Sequence, residues 1–502
     1  MQSHHEPDTD VRSVPVLIVG AGPAGLAAAI TLANNGVGSL LIDRRAGTST
    51  LPRATAISTR TMELIRSWGL EDDVRTGAVE VEATAWVTET LASQHGREES
   101  FGFPTPKQAA AVSPTGPAVA PQDHLEPVLV RHLQTFDGTD VRFGTELVAF
   151  DQDDDGVTAI LREADTATTT LVRSRFIIGA DGAHSTVRTI IGVPMHGSER
   201  LDEIVTVLFR APLWPVVGDR RHAIYPITHP AAPGLFVAAG TTDRWLYAWS
   251  WDPDRETIAD HTHERITRRL RTATGVADLH PHILAVGAFS FASLIAERYR
   301  AHRAFLVGDA AHRITPRGGT GMNTAIHDGH DLGWKLAWVC RGWADSELLD
   351  TYHTERWPIG ARNALRSATE MERPAAQYLA DDLNGRVTHA WLPDTRPRRS
   401  TLDLIGPGYT LLTGPHSAAW QQATATTSTD APIIVHTLDA ATAHTININA
   451  GGAVLLRPDG HIAAHWHTPP DNAAYALLHA AHGATHPPVT PAPATLTGTR
   501  AR

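Results

Sequence analysis

A glycine-rich turn near the start of the chain has the spacing that cradles a dinucleotide pyrophosphate. It lies between an apolar run, residues 14–19, and a helical pattern, residues 24–34, and reads Gly20-Ala21-Gly22-Pro23-Ala24-Gly25. The first glycine permits a tight turn, the second lets the backbone approach the pyrophosphate, and the third lets the helix pack on the strand. Asp43 ends the next apolar run, where its carboxylate can accept hydrogen bonds from a ribose diol. This unit predicts a βαβ fold that binds FAD or NAD, and the motif alone does not separate the two.

Two later segments have residue types suited to the sugar chain and the ring of such a cofactor. The first reads FIIGADGAHSTVR over residues 176–188. The second reads GDAAH over residues 308–312 and continues as PRGGTGMN over residues 316–323. Its Asp309 follows a buried apolar run, so the carboxylate can hold a ribose or ribityl hydroxyl. The glycine-rich part exposes backbone N–H groups at the start of a helix, where the helix dipole stabilises negative charge.

In order and spacing, these three motifs closely resemble those of the single-component flavoprotein aromatic hydroxylases, the para-hydroxybenzoate hydroxylase family. The resemblance spans about residues 14–370 and includes PRATAIS at residues 52–58 and QDHLE at residues 122–126. It implies that Asp309 binds the ribityl region of FAD, and that Arg53 and Gln122 contact the diphosphate and ribityl regions. The full set of cofactor-binding residues that it implies is Gly20, Gly22, Ala24, Gly25, Asp43, Arg44, Arg53, Gln122, Asp181, Gly182, Asp309, Pro316, Gly319, Gly321, Met322 and Asn323.

The same resemblance implies a monooxygenase reaction on an electron-rich, polycyclic aromatic substrate. In this chemistry NADPH or NADH reduces the flavin, O₂ adds at C4a, and the resulting hydroperoxide transfers a hydroxyl group to the ring. No second glycine fingerprint exists, which fits a nicotinamide cofactor that visits transiently. No side chain is obligatory as a nucleophile, and the catalytic residues stay unknown, with Tyr225 and His222 as weak candidates that could bind a phenol.

Three alternatives stay open at this point. The same machinery can act as a Baeyer–Villiger oxygenase, an epoxidase or an antibiotic-inactivating hydroxylase. An O₂-independent flavin dehydrogenase or reductase could use the same fold. A non-catalytic ligand-binding protein is the third alternative, and the intact glycines of all three motifs argue against it.

The elements that must position these motifs predict an α/β protein of three parts. A Rossmann-like FAD-binding domain comprises residues 14–195 and 291–380, and a mostly antiparallel substrate-binding sheet, residues 196–290, is inserted in it. After a linker at residues 381–400, residues 400–484 resemble the thioredoxin-like domain of the polyketide-modifying branch of the family. That unit has no Cys-x-x-Cys, because Cys340 is the single cysteine of the chain, and its expected role is structural. Residues 485–502 are predicted to be a disordered tail.

The composition of the chain limits the classes of partner that it is expected to bind. The chain has 502 residues and a formal net charge of −11 with no basic tract, which argues against nucleic acid and against a polybasic membrane anchor. The apolar stretch 14–32 carries three glycines and two prolines, so it is not a membrane span. One cysteine and no signal peptide fit a cytoplasmic protein. The expected partners are the small aromatic substrate and O₂, and the chain is a monomer or a homodimer.

Two other groups of residues have competing interpretations. Trp245, Tyr247 and Trp249 alternate on one strand and, with Tyr225, either line a pocket for a flat substrate or form the packing face of the middle sheet. The Pro-rich segment 96–121 is loop-like and could cover that wall against water. His461, His465 and His467 suggest zinc, but 28 histidines make such a cluster unremarkable, so no metal is expected. Asp328 and Asp331 are expected at a helix surface or cap.

Overall fold

The computed structural model describes residues 11–100, 102–369, 375–393 and 395–485. The tail predicted to be disordered lies outside them, apart from residue 485. Strands, in chain order, are β1 (Arg12–Val19), β2 (Ser39–Asp43), β3 (Ala56–Ile57), β4 (Glu82–Thr88), β5 (Gly96–Glu99), β6 (Ala118–Val119), β7 (Thr139–Phe143), β8 (Thr145–Gln152), β9 (Val157–Glu163), β10 (Thr169–Gly179), β11 (Met195–Arg210), β12 (His222–Ile227), β13 (Gly234–Ala238), β14 (Arg244–Ser250), β15 (His282–Ala296), β16 (Arg300–Ala301), β17 (Ala304–Leu306), β18 (His312–Arg313), β19 (Tyr409–Thr413), β20 (Ile433–Thr437), β21 (Ala453–Leu456) and β22 (Ile462–Trp466). Helices are α1 (Pro23–Asn34), α2 (Thr59–Ser67), α3 (Glu71–Arg75), α4 (Pro106–Ala110), α5 (Gln122–Leu133), α6 (Thr186–Ile190), α7 (Trp214–Val217), α8 (His263–Thr274), α9 (Gly321–Arg341), α10 (Asp350–Ala368), α11 (Ala375–Asp382), α12 (Ala418–Thr426), α13 (Ala440–Thr445) and α14 (Ala473–Thr485).

The first sheet is the predicted Rossmann-like layer. Its strands run in the order β16-β17-β10-β1-β2-β7, and β1 pairs in parallel with both β2 and β10. A parallel strand that is covered on both faces must be apolar along its length, as the fully buried run from Val16 to Ile18 is. Helix α1 packs so closely on α9 that a Cβ at Gly329 would lie 2.2 Å from the carbonyl oxygen of Ala24. The glycine of α9 therefore sets how near the two helices come.

The middle sheet is mostly antiparallel, as predicted, but it recruits more of the chain than residues 196–290. Its order is β18-β15-β11-β14-β13-β12-β4-β5, with β12 and β4 the parallel pair among mainly antiparallel neighbours. Strands β4 and β5 come from the segment that the sequence assigned to the FAD-binding domain. The interpretation of residues 96–121 as loop is corrected in the same way, because β5, α4 and β6 lie within them. The chain thus makes one more excursion into the middle sheet than the motif spacing indicated.

The C-terminal unit is a four-stranded sheet in the order β20-β19-β21-β22, with β19 and β20 parallel and the other neighbours antiparallel. The predicted linker before it is wrong in part. Val387 and Ala390 are buried in the core of this unit beside Leu402, and the N–H of Val387 donates to the carbonyl of Gly460. The stretch after α11 therefore belongs to the C-terminal unit.

Charged side chains hold this unit against the first domain. Arg457 donates to both carboxylate oxygens of Glu355, at 2.8 and 3.0 Å, and also contacts Asp459. Lys335 contacts the same Glu355 at 2.8 Å and Asp331 at 2.7 Å. Burial alone would raise the pKa of Glu355, but the two cations lower it to about 2. The three carboxylates lie within 4.8 Å of one another, as metal ligands do; two cations among them make the cluster an ion-pair network.

Within the described ranges, the model has no helix that combines the length and the apolar character needed to cross a bilayer.

The carboxylate of Asp382 predicts a pH dependence of stability. It accepts hydrogen bonds from Ser58 Oγ and from the N–H of Arg60, both at 2.9 Å, and burial raises its pKa to about 6. The folded protein binds this proton more tightly than the unfolded chain does, so the contribution to stability is largest below pH 4 and is lost as pH rises through about 6.

We expect Asp382→Asn to flatten this dependence. Between pH 4.5 and 7 the melting temperature of the native protein should fall relative to that of the variant, as measured by differential scanning calorimetry over a pH series. Parallel curves for the two proteins would contradict the assignment of the proton to Asp382.

Candidate functional site

The phosphate turn has the geometry that its glycines predict. Gly22 caps the N-terminus of α1 with Pro23 in the first helical position, and a Cβ at Gly22 would meet no protein atom within 4 Å. Gly20 has a φ of 110°, and a Cβ there would lie 2.2 Å from the carbonyl oxygen of Ala180. The first glycine is therefore required for contact with the second motif, whereas the space at the second is open for a ligand phosphate.

The acid at the end of β2 is held by an arginine that the sequence analysis did not select. Asp43 Oδ2 accepts the N–H of Ala21 at 2.8 Å, which fixes the carboxylate over the phosphate turn. Arg45 donates to both oxygens of Asp43, at 3.0 and 2.8 Å, whereas the predicted Arg44 is exposed beside it. Burial raises the pKa of Asp43, but these hydrogen bonds outweigh it and lower the pKa. The carboxylate of Asp43 therefore stays ionised at the position where the motif predicts a ribose-binding acid.

Asp309 lies on a 3-10 turn, Gly308–Ala310, directly after β17 and Val307. Its carboxylate is accessible to solvent and has no hydrogen-bond partner among the described residues. Surrounding protein nevertheless raises its pKa, an effect that His312, Arg313 and Arg53 oppose. A group that is accessible and yet enclosed lies at the floor of a cleft. An unpaired acceptor there fits a cofactor hydroxyl.

Beneath this floor lies a buried network centred on Asp328. His312 Nε2 lies 2.6 Å from Asp328 Oδ2, and Arg356 Nε donates to Asp328 Oδ1 at 2.8 Å. Burial raises the pKa of Asp328, but Arg356 and His312 outweigh it and lower the pKa. The expectation that Asp328 and Asp331 are surface or cap groups is corrected, because Asp328 is fully buried and Asp331 nearly so. The network fixes the third motif to α9 and α10.

The glycine-rich loop before α9 is held by Asn323. Its Oδ1 accepts the N–H of Ser58 at 2.8 Å, and its Nδ2 donates to the carbonyls of Ala56 and Gly319 at 3.0 and 2.8 Å. Pro316 is exposed at the start of the loop, and Gly319 is half-buried, as is Gly321, which begins α9 ahead of the buried Met322. The loop therefore presents the positive end of a 21-residue helix to the cleft.

The second motif is tied to the third by Arg188. Its guanidinium donates to the carbonyl of Ala310 at 3.0 Å and to that of Ala183 at 2.8 Å. Asp181 accepts from Ser185 Oγ and from the N–H of Val187, which caps the start of α6, and burial raises its pKa. Gly182 follows with a φ of 82° and open space at its Cβ position. The structure thus brings the three motifs of the sequence together around one cleft.

Helix α5 joins the cleft to the middle sheet. Gln122 Nε2 donates to Glu126 Oε1 at 2.7 Å, and Glu126 Oε2 accepts the N–H of Ser49 at 2.6 Å. The next residue, Asp123, accepts two hydrogen bonds from the Nη2 atom of Arg244 on β14, at 2.9 and 2.7 Å. The face of the middle sheet that carries Arg244 therefore faces the first domain.

The predicted aromatic wall lies on the other face, which corrects its assignment to the substrate. Trp245 and Tyr247 are fully buried, and Trp249 is 7% exposed, in a core that α8 covers. Tyr225 is 1% exposed and its hydroxyl donates to the carbonyl of Arg220 at 2.9 Å. Burial raises the pKa of Tyr247 to about 12. These rings pack, and none of them faces the cleft.

His222 is also removed from the cleft. Its Nδ1 lies 2.8 Å from Thr84 Oγ1, its ring stacks on Trp86, and burial lowers its pKa. With Tyr225 in the core as well, neither weak catalytic candidate is placed to reach a substrate.

The cleft-facing side of the sheet is aliphatic. Arg244 alternates with Leu246, and a cross-strand row in register joins Leu246 to Leu208, Val237 and Ile224. Leu246, Val237 and Ile224 are half-buried, and sequence analysis missed them because it followed the aromatic positions of the same alternation.

A cavity of about 750 Å³ opens beside β4 of the middle sheet. Ala83 of β4 borders it, as do Phe103 and residues 113–119 of the Pro-rich segment. Ala56, another lining residue, and the ring of Phe103 lie 3.0 and 3.1 Å from the Cβ position of Gly319. The cavity therefore adjoins the glycine-rich loop, and its volume suits a polycyclic ligand.

Comparison with protein families matches both parts of the chain. The family model for the FAD binding domain matches residues 13–367. The family model for the C-terminal domain of aromatic-ring hydroxylases matches residues 382–486. Among characterised relatives, the tetracenomycin A2 monooxygenase-dioxygenase of Streptomyces glaucescens is 34% identical over 92% of this chain and 95% of its own. The aklavinone 12-hydroxylase of Streptomyces peucetius is 35% identical over 83% of this chain and 93% of its own.

Solved structures agree with these matches. The flavin-dependent monooxygenase PieE, determined with FAD and substrate, superposes with a TM-score of 0.85 at 30% identity, over 95% of this chain and 100% of that one. Aklavinone-11 hydroxylase, determined with FAD and aklavinone, superposes with a TM-score of 0.82 at 31% identity, over 95% and 99% of the two chains.

We expect Gly22→Val to abolish cofactor retention, because a side chain at this position occupies the space that the pyrophosphate needs. The purified variant should be folded, by circular dichroism, but colourless. Gly483→Val in α14 is the control, since its Cβ position is equally open but lies in the C-terminal helix. Normal flavin absorbance in Gly22→Val would refute the phosphate assignment.

Asp309→Ala should weaken FAD binding by about 1–3 kcal/mol, because the hydroxyl that the carboxylate holds would lose its partner. This corresponds to a roughly tenfold to hundredfold higher dissociation constant, measured by flavin fluorescence on the apoprotein. Asp165→Ala, in an exposed turn, serves as the control. Equal dissociation constants for both variants would leave Asp309 without a cofactor role.

Proposed function

We propose that this chain, which belongs to the family of FAD-binding aromatic-ring hydroxylases, is the monooxygenase of a polycyclic phenol or quinone and takes its electrons from NADPH or NADH. The observation that carries the proposal is the position of the cavity. It adjoins the glycine-rich loop through Ala56 and Phe103, so a flat substrate placed there is close to the N-terminus of α9.

The chain's own residues fit FAD, which supplies the redox chemistry of the reaction when it is bound. Three features match three parts of FAD. The open space at Gly22 matches the diphosphate, the acid Asp43 matches the ribose, and the unpaired carboxylate of Asp309 matches the ribityl chain. The N-terminus of α9 at Gly321 favours negative charge on the ring system. Asn323 keeps that helix end and the Ala56 segment in a fixed relation.

The wall of the cavity favours an apolar planar substrate. Apolar side chains that line it, such as Val79, Val81 and Phe103, bind a ring face without offering it hydrogen bonds. The Pro-rich segment lines a further part of the cavity, where Pro114 and Pro117 continue the apolar lining. Packed walls of this kind also keep water from the reacting atoms. Two of the relatives are named for the compounds on which they act, tetracenomycin A2 and aklavinone.

The nicotinamide donor is proposed to bind transiently. The described cleft has one phosphate turn at the start of a helix that follows a parallel strand, Gly20–Gly25, and FAD occupies it in the proposal. The dinucleotide therefore delivers its electrons from an open position and leaves before oxygen is used. Either NADPH or NADH serves this purpose.

The decisive experiment follows the oxygen atom. With aklavinone or a related tetracyclic phenol under ¹⁸O₂, the product should gain one ¹⁸O atom for each NAD(P)H consumed, as measured by mass spectrometry and by absorbance at 340 nm. A parallel reaction in H₂¹⁸O under ¹⁶O₂ is the control and should leave the new oxygen unlabelled. Product formed without O₂ and with an artificial electron acceptor would instead identify a dehydrogenase.

A further inference from the structure

The cavity beside the glycine-rich loop has one wall that comes from the C-terminal unit. Trp391 and Arg398 line it, and both belong to a short arm, residues 389–393 and 395–401, which we name the Trp391 arm. The two strands of the arm pair through Trp391 and Ser400, and the N–H of Leu392 donates to the carbonyl of Arg399 at 2.8 Å. This part of the chain was predicted to be a linker.

The side chains of Trp391 and Arg398 stack on each other. The guanidinium carbon of Arg398 lies 4.2 Å from the centroid of the Trp391 ring, a cation–π contact. The ring of His389 meets the edge of the indole, with centroids 4.8 Å apart. Trp391 is half-buried and Arg398 is exposed, so the pair ends the cavity without closing it.

The same pair borders a second space. A cleft of about 450 Å³ is lined by Trp391 and Arg398 together with Asp439, Ala441 and Thr442. Both spaces therefore meet at one indole and one guanidinium.

Ion pairs fix the arm against the other walls of the cavity. Arg386, just before the arm, donates to both oxygens of Glu63 on α2, at 3.0 and 2.8 Å. Ser113, a lining residue of the Pro-rich segment, donates to the same Glu63 at 2.7 Å. Arg66 of α2 pairs with Asp403 at 3.0 Å, just after the arm. One helix thus sets the distance between the Trp391 arm and the Pro-rich wall.

We propose that Trp391 and Arg398 form the outer end of the substrate site and set the length of the aromatic substrate that the enzyme accepts. The indole stacks on the ring farthest from the reaction, and the guanidinium binds an oxygen substituent of that ring. The C-terminal unit is then a part of the specificity site and not only a structural support. This inference rests on the proposed hydroxylase function.

The test compares three probes on the holoenzyme: a tricyclic hydroxyanthraquinone, tetracyclic aklavinone and a glycosylated aklavinone. For Trp391→Ala we expect the KM of aklavinone to rise about tenfold. The ratio of kcat/KM for the glycosylated probe to that for aklavinone should rise by a similar factor. The kcat for the tricyclic probe and the flavin content should not change. Trp391→Phe should restore most of the affinity, because it keeps an aromatic face.

Matched controls separate length selection from stability. Trp343→Ala removes another half-buried tryptophan under an arginine, since Arg341 lies 3.9 Å from its ring, but neither residue lines the cavity. Arg399→Ala is the control for Arg398→Ala, because its side chain is exposed on the same arm and bonds to the carbonyl of Asp403. Both controls should keep the native preference among the three probes.

The outcomes distinguish the inference from the function on which it rests. If the native enzyme hydroxylates aklavinone and Trp391→Ala keeps the native probe ratio, the arm does not set substrate length and the inference is overturned. If the native enzyme shows no aromatic-dependent NAD(P)H oxidation with any probe, the proposed function fails instead. Titration of flavin absorbance with each probe measures binding without turnover and should follow the same order as the KM values.

Discussion

A buried carboxylate with two cationic or polar partners holds the cleft together. Asp328 pairs with Arg356 of α10 and with His312 of β18, and all three side chains are largely removed from water. Loss of one partner from such a site costs about 3–5 kcal/mol, because the remaining charge is left uncompensated. These contacts therefore join the third motif, α9 and α10 into one rigid body. The N–H of Gly308, next to Asp309, donates to the same Asp328 at 3.4 Å, so the network also holds the backbone that carries Asp309.

The same kind of contact joins the three parts of the chain. Asp123 and Arg244 dock the middle sheet on α5, whereas Glu63 and Arg386 dock the C-terminal unit on α2. Arg386 uses two guanidinium nitrogens, which fixes orientation as well as distance, whereas Arg244 contacts both oxygens of Asp123 through Nη2 alone. Apolar contacts alone would hold the domains together but would leave their relative rotation less defined. A cavity bounded by all three parts requires that rotation to be fixed, and the paired charges supply the constraint.

Sequence analysis predicted the strand–turn–helix geometry around Gly20 and Gly22 because its determinants are local. A positive φ at Gly20 and an open Cβ position at Gly22 are properties of a few consecutive residues. The partners of those motifs were not predictable in the same way. The hydrogen bond from Arg188 to the carbonyl of Ala310 joins residues that are 122 positions apart in the sequence, and no local pattern indicates such a contact. Strands β4 and β5 were missed for a related reason. Which strands join the edge of a sheet is decided by their pairing with distant strands, and the composition of the strands does not show it.

The middle sheet shows why a correct pattern led to a wrong substrate wall. Alternation in β14 predicts two faces, and both are apolar, so hydrophobicity does not say which one meets the cofactor. The choice is made by elements distant in the chain: α8 covers the face of Tyr247, and Asp123 binds Arg244 on the other. The large rings go to the covered face because they bury the most surface there, which leaves smaller side chains facing the cleft. The position of the aromatic residues is therefore decided by which face α8 covers, and the alternation within β14 does not record that choice.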